Sequence, residues 1–151
     1  MATTLSAATL TVTITESINL QGMNQGATNT LSLASIAEVS KRIVNVPALE
    51  VEIVAMSTAV AAGTFVESTV KYIRITNLDD TNPLELAVVG AATLYQVELA
   101  AGESHILGNP DALMLAEADT SPSFGTMADI ASLQVNPAGN AIDVELIVAS
   151  V

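Results

Sequence analysis

Aliphatic and hydroxyl side chains alternate along residues 9–18, where Leu10, Val12 and Ile14 interleave with Thr9, Thr11, Thr13 and Thr15. A period of two sends the two sets to opposite faces of a half-buried strand, and the β-branched threonines suit that backbone as well. The alternation recurs at residues 49–56, 69–78 and 141–148. In the last of these Ile142, Val144, Leu146 and Val148 are expected to point inward, and Asp143 and Glu145 outward. In residues 69–78, Val70, Tyr72 and Arg74 fall on one face, with Lys71, Ile73 and Ile75 on the other. Shorter apolar runs at residues 61–66, 84–89, 93–99, 104–107, 112–118 and 130–135 bring the total to about ten strands.

Turn chemistry separates these runs. Residues 79–83 (Asp79, Asp80, Thr81, Asn82, Pro83) combine side chains that bond their own backbone with a proline that fixes φ. Further breaks are expected at residues 100–102, 108–111, 119–125 and 136–140, and residues 21–29, with Gly22 and Gly26, read as a loop. Residues 30–46 support two readings. Leu33, Ile36, Ala37, Ser40, Ile43 and Val44 have helical spacing, and Ser35 with Glu38 would form a capping box. Read in twos, the same residues give strand ends. No regular alternation of strand and helix exists, so the pattern predicts an all-β fold, an antiparallel β-sandwich of jelly-roll type with at most one or two short helical turns. It is expected to be a single domain over residues 1–151, with residues 1–8 as an N-terminal arm.

Composition sharpens this. Half the residues are hydrophobic but only 3% are aromatic, so the core must be aliphatic. Charged residues are 13%, against about a quarter in an ordinary soluble domain. The longest apolar stretch, residues 86–92, is broken by Gly90 and is too short to cross a bilayer, so no membrane partner is expected. The apolar excess is then expected in subunit contacts, with the strands at residues 9–16 and 142–150 as the contact strands. No cysteine is present, which removes disulfides and thiolate metal sites, and no secretory leader is visible at residues 1–8. Synthesis in a reducing cytoplasm is the expectation. The net charge of −12 leaves Lys41, Arg42, Lys71 and Arg74 as the only cations, too few for multi-phosphate contacts, so no nucleic-acid partner is expected. The same charge also serves solubility.

Side chains that do chemistry are scarce. A histidine-based jelly-roll metal site needs several histidines, and the chain has His105 alone. Ser104 and His105 are neighbours in a strand and would point to opposite faces, so they cannot form a nucleophile–base pair. Asp119, Thr120 and Ser121 resemble an aspartic-protease triplet without its glycine. Glu50 and Glu52 share a face, but a two-carboxylate glycosidase also wants aromatic platforms, and only Phe65, Tyr72, Tyr95 and Phe124 are available. Asp79, Asp80 and Asn82 could surround Ca²⁺, although turn formation already accounts for them. No catalytic, cofactor-binding or metal-ligating residue is assigned, and the chain reads as a non-enzyme.

Two stretches carry a resemblance. The run Tyr72-Ile73-Arg74-Ile75-Thr76-Asn77-Leu78-Asp79-Asp80 and the run Val97-Glu98-Leu99-Ala100-Ala101-Gly102-Glu103-Ser104 look like a kind of small virion structural protein of marine tailed phages, including cyanophages. Ile18-Asn19-Leu20-Gln21-Gly22 and Ile36-Ala37-Glu38-Val39-Ser40-Lys41-Arg42-Ile43 fit the same resemblance. It implies a bacteriophage virion component, with a capsid decoration or cement role on the outside of the head as the first expectation. A tail- or fibre-associated protein and a host-surface or glycan-binding module are the alternatives. The implied partners are the major capsid protein of the shell and further copies of this chain. A trimer is favoured over a dimer, since three-fold positions abound on icosahedral shells. The resemblance carries over no functional residue.

Overall fold

Period-two alternation becomes thirteen strands, with no helix among the described residues. The computed structural model describes residues 5–90, 94–107 and 125–151. The chain divides into two compact units, Met1–Glu38 with Val151 and Val39–Ser150. Of the arm expected at residues 1–8, residues 1–4 lie outside the described residues, and Ala8 already opens the first strand. The strand expected at residues 112–118 and the turns at residues 108–111 and, apart from Gly125, at 119–125 also lie outside the described residues.

The first unit is a long β-hairpin. Strand β1 (Ala8–Thr15) pairs antiparallel with β4 (Thr28–Ile36), and β2 (Asn19–Leu20) pairs with β3 (Met23–Asn24). Glu16 donates its backbone N–H to the Ala27 carbonyl at 2.8 Å and Gln25 donates to Ile18 at 3.0 Å, so pairing runs on between the two pieces. Gln21 (φ 51°) and Gly22 (φ 82°) close the tip, two successive left-handed residues as a two-residue hairpin turn requires. Residues 21–29 are thus a hairpin end, where the glycines suggest an open loop. Gly26 has its own reason: a Cβ there would collide with the Glu16 carbonyl oxygen.

The helical reading of residues 30–46 is not realised. The segment forms β4 and then β5 (Glu38–Val46), joined at Ala37. Its helical spacing arises where two strands of different phase abut. Thr30, Ile36, Val39, Ile43, Val44 and Val46 are β-branched and stiff at χ1, which favours the extended form.

The second unit is a sandwich. One sheet has the order β11 (Ser104–Leu107), β8 (Val70–Asn77), β13 (Ile142–Ser150), β5. The other has the order β10 (Leu94–Leu99), β9 (Leu84–Gly90), β12 (Ile130–Pro137), β6 (Val51–Ser57), β7 (Phe65–Val66), the last pair being parallel. Neighbours nest as β9 with β10, β8 with β11, β6 with β12 and β5 with β13, the pattern of one long ribbon rolled up. That is a jelly roll, and it confirms the predicted class.

The core between the sheets is aliphatic, as composition demands. Ile73, Ile75, Leu146 and Val148 of one sheet meet Leu84, Leu86, Val88 and Leu133 of the other. Ile142, Val144, Leu146 and Val148 point inward as the alternation predicts, and Asp143 is exposed. One phase differs. Val70 joins the core with Ile73 and Ile75, because the β8–β13 register slips between Ala149 and Ser150 and a bulge resets the alternation. Of the two strands expected in subunit contacts, the one at residues 142–150 offers no free edge for pairing: β13 lies between β8 and β5, so both of its edges are taken.

Candidate functional site

A row of polar contacts crosses the outer face of the four-stranded sheet. Lys41 on β5 reaches Glu145 on β13 at 3.0 Å, and Glu145 also pairs with Arg74 on β8. Arg74 donates to the Thr76 hydroxyl, which shares a 2.7 Å hydrogen bond with Ser104 on β11. The two cationic hydrogen bonds, from Lys41 and then Arg74, hold the Glu145 carboxyl below its ordinary value of 4.5. Arg42 donates to the Ile53 carbonyl and Lys71 to the Ser68 carbonyl at 3.2 Å. All four cations are therefore engaged within their own unit.

Ser104 and His105 separate to opposite faces, as their adjacency requires. Ser104 bonds outward to Thr76, while His105 Nε2 lies 3.2 Å from the Tyr95 hydroxyl with the two rings edge to face. Tyr95 and His105 come from β10 and β11, strands of different sheets, so their contact bridges the layers. Burial lowers the His105 pKa from 6.5 by disfavouring the imidazolium. Tyr72 is buried and Phe65 packs partly on the core, so neither is presented as a stacking platform. Phe124, Asp119, Thr120 and Ser121 lie outside the described residues.

The Asp79 turn is built by its own hydrogen bonds. Asp79 Oδ1 accepts from the Thr81 N–H at 2.8 Å, the Asn82 N–H at 2.6 Å and Asn82 Nδ2 at 3.1 Å. These donors, Asn82 first, lower the Asp79 pKa below 3.8. Among the described residues no cluster of three or more His, Asp or Glu side chains is arranged to hold a metal.

Asn77, beside this turn, has a role the sequence did not signal. It is fully buried at the end of β8, and its Nδ2 lies within hydrogen-bond distance of the carbonyls of Asn82 (2.8 Å), Leu99 (3.1 Å) and Ala100 (3.2 Å). Its Oδ1 accepts from Asp79, its N–H donates to Glu103, and its carbonyl accepts from Gly102, which stands at φ 77°. One side chain thus ties the β8–β9 turn to the β10–β11 turn. An asparagine at a strand end before an Asp-rich turn was the only available hint.

Glu50 and Glu85 border a shallow groove of about 240 Å³ on the outer face of the five-stranded sheet, with Leu94, Gln96, Gln134 and Asn136. Asn136 Nδ2 donates to Glu85 at 2.9 Å. Glu52 pairs in register with Gln134 on β12 and is not among the lining residues, so the pair of acids singled out in the sequence does not flank the groove together. Among the described residues no aromatic side chain lines it.

Acidification is expected to weaken the fold in two steps. A folded-state pKa below the unfolded one means that the unfolded chain binds more protons, so stability falls with pH. The His105 contribution is complete above 6.5 and is lost as pH falls through its lowered folded value. Those of Glu145 and Asp79 are complete above 4.5 and 3.8 and go at lower pH still. Melting temperatures measured from pH 8 to pH 3 should show both steps, and His105→Gln should remove the first. A variant that keeps the first step would assign it elsewhere.

No protein-family model matches the chain, and no curated protein matches it. Among solved structures, a chain described under "Bacillus endospore appendages form a novel family of disulfide-linked pili" is similar at 9% identity and a TM-score of 0.47, covering 75% of this chain and 82% of that one.

Proposed function

We propose that this chain is a non-enzymatic structural component of a tailed-phage virion, a decoration or cement protein that sits on the outside of the head and contacts the major capsid protein. The observation that carries the reading is the Asn77 knot. The two stretches that bear the phage resemblance, residues 72–80 and 97–104, are distant in sequence and meet there through hydrogen bonds to Leu99, Ala100, Gly102 and Glu103. What the resemblance holds in common is therefore scaffold, the feature a particle component needs. Acidic outward surface and internally engaged cations suit a protein kept off packaged nucleic acid.

The test is addition of the purified protein to phage heads that lack it. Saturable binding at hundreds of copies per head, with heads made more resistant to heat, is expected. Copies recovered only with tails would replace this reading by the tail-associated one. The polar groove at Glu85, Gln96, Gln134 and Asn136 favours a second reading, a glycan-binding surface, which glycan-array binding abolished by Gln96→Ala would support.

A further inference from the structure

A two-stranded ribbon by itself is marginal in water, because it lacks a third strand or a facing layer. β1 and β4 make such a ribbon, and its faces differ in kind. Leu10, Val12 and Ile14 line one face, with Leu33 and Leu31 across from the first two. Thr11 opposite Ser32 and Thr13 opposite Thr30 line the other. Ile14 keeps 49% of its surface exposed and Leu31 keeps 44%. At the tip Ile18, Leu20 and Met23 are more exposed still.

Charge selects the occupant. Residues 1–37 carry one charged side chain, Glu16, whereas residues 38–151 carry all four cations and fifteen of the sixteen acids. The hairpin therefore offers almost nothing for a charged partner to recognise. It is also the part of the chain that can meet another copy without like-charge repulsion. Leu10, Val12 and Leu33 are half-buried and Ile14 and Leu31 exposed, an uncharged aliphatic face that can pack on a second copy of itself. We infer that a second copy of this chain covers it, the two hairpins packing aliphatic face to aliphatic face about a two-fold axis. The eight residues of β1 at about 3.3 Å rise, across two strands about 4.8 Å apart, give a face of roughly 250 Å² per copy. A standard interface buries about 800 Å² per partner. The pairing is thus transient in dilute solution and becomes effective where many copies are held close together. It goes beyond the decoration reading and does not depend on a shell.

The absence of cysteine makes a clean test in the full-length chain. Packed sheets lie about 10 Å apart, too far for a disulfide, so a short bismaleimide is the probe. Val12→Cys is expected to yield cross-linked dimer about tenfold faster than Thr11→Cys, which sits on the opposite face of the same strand. Raising salt from about 20 to about 200 mM should speed the Val12→Cys reaction, because it screens repulsion between the acidic bodies. Equal rates for the two variants would overturn the inference. So would wild-type protein that sediments as a monomer at every concentration and salt, a measurement that needs no variant. Shell binding that survives Val12→Asp would leave the decoration reading intact whatever the cross-linking shows.

Discussion

Asn77→Ala is expected to destabilise the fold by about 3 kcal/mol and to lower the melting temperature by roughly 10 °C. The side chain is fully buried, and its removal takes a donor from two turns at once, at the carbonyls of Asn82, Leu99 and Ala100, of which Ala100 keeps the Glu103 N–H. The Asp79 N–H also loses its acceptor. A typical hydrogen bond contributes about 1 kcal/mol net, but a buried group left without a partner carries its desolvation penalty of about 1–3 kcal/mol as well. Asn77→Asp keeps the size and the Oδ1 acceptor yet turns a carboxylate toward three carbonyls, so at neutral pH it should do no better than alanine. Thermal melts of both variants check this. A loss under about 1 kcal/mol would mean that water enters and takes over the amide's bonds.

Leu146→Ala and Leu31→Ala should diverge sharply. Leu146 is fully buried mid-strand in β13, beside Ile75 and within the core cluster, and truncation there is expected to cost about 3–4 kcal/mol. Leu31 is the same residue type in the same secondary structure, but 44% of its surface remains exposed. Its truncation removes less buried area and leaves no closed cavity, so it should cost under about 1 kcal/mol in dilute monomer. Urea denaturation at unchanged m-value separates the two. Comparable losses would show that the hairpin face is already fully covered within a single chain, which would also remove the ground for pairing between copies.

Much of the fold was readable from residue types alone. The in–out order of Ile142 to Val148 follows from alternation, since a period of two has one way to bury its apolar set. The opposite directions of Ser104 and His105 follow from adjacency in a strand. The Asp79 turn follows from side chains that bond their own backbone. Residues 30–46 were ambiguous because the junction at Ala37 joins two strand phases, and the sum imitates a helix. Val70 misled because a bulge is set by the partner strand, which local sequence does not contain.

The sequence by itself determined the all-β class, the aliphatic core and the segregation of charge away from residues 1–37. These depend on composition and on neighbours within a few positions, which any extended backbone displays. The tertiary structure alone decided which strands share a sheet and that residues 142–150 are interior instead of an edge. It also decided that Asn77 gathers carbonyls from residues 82, 99 and 100, and that Glu145 stands between Lys41 and Arg74. Each of these joins positions tens of residues apart. Their pairing is fixed by how the rolled ribbon closes, and the burial that gives a polar contact its weight exists only after that closure.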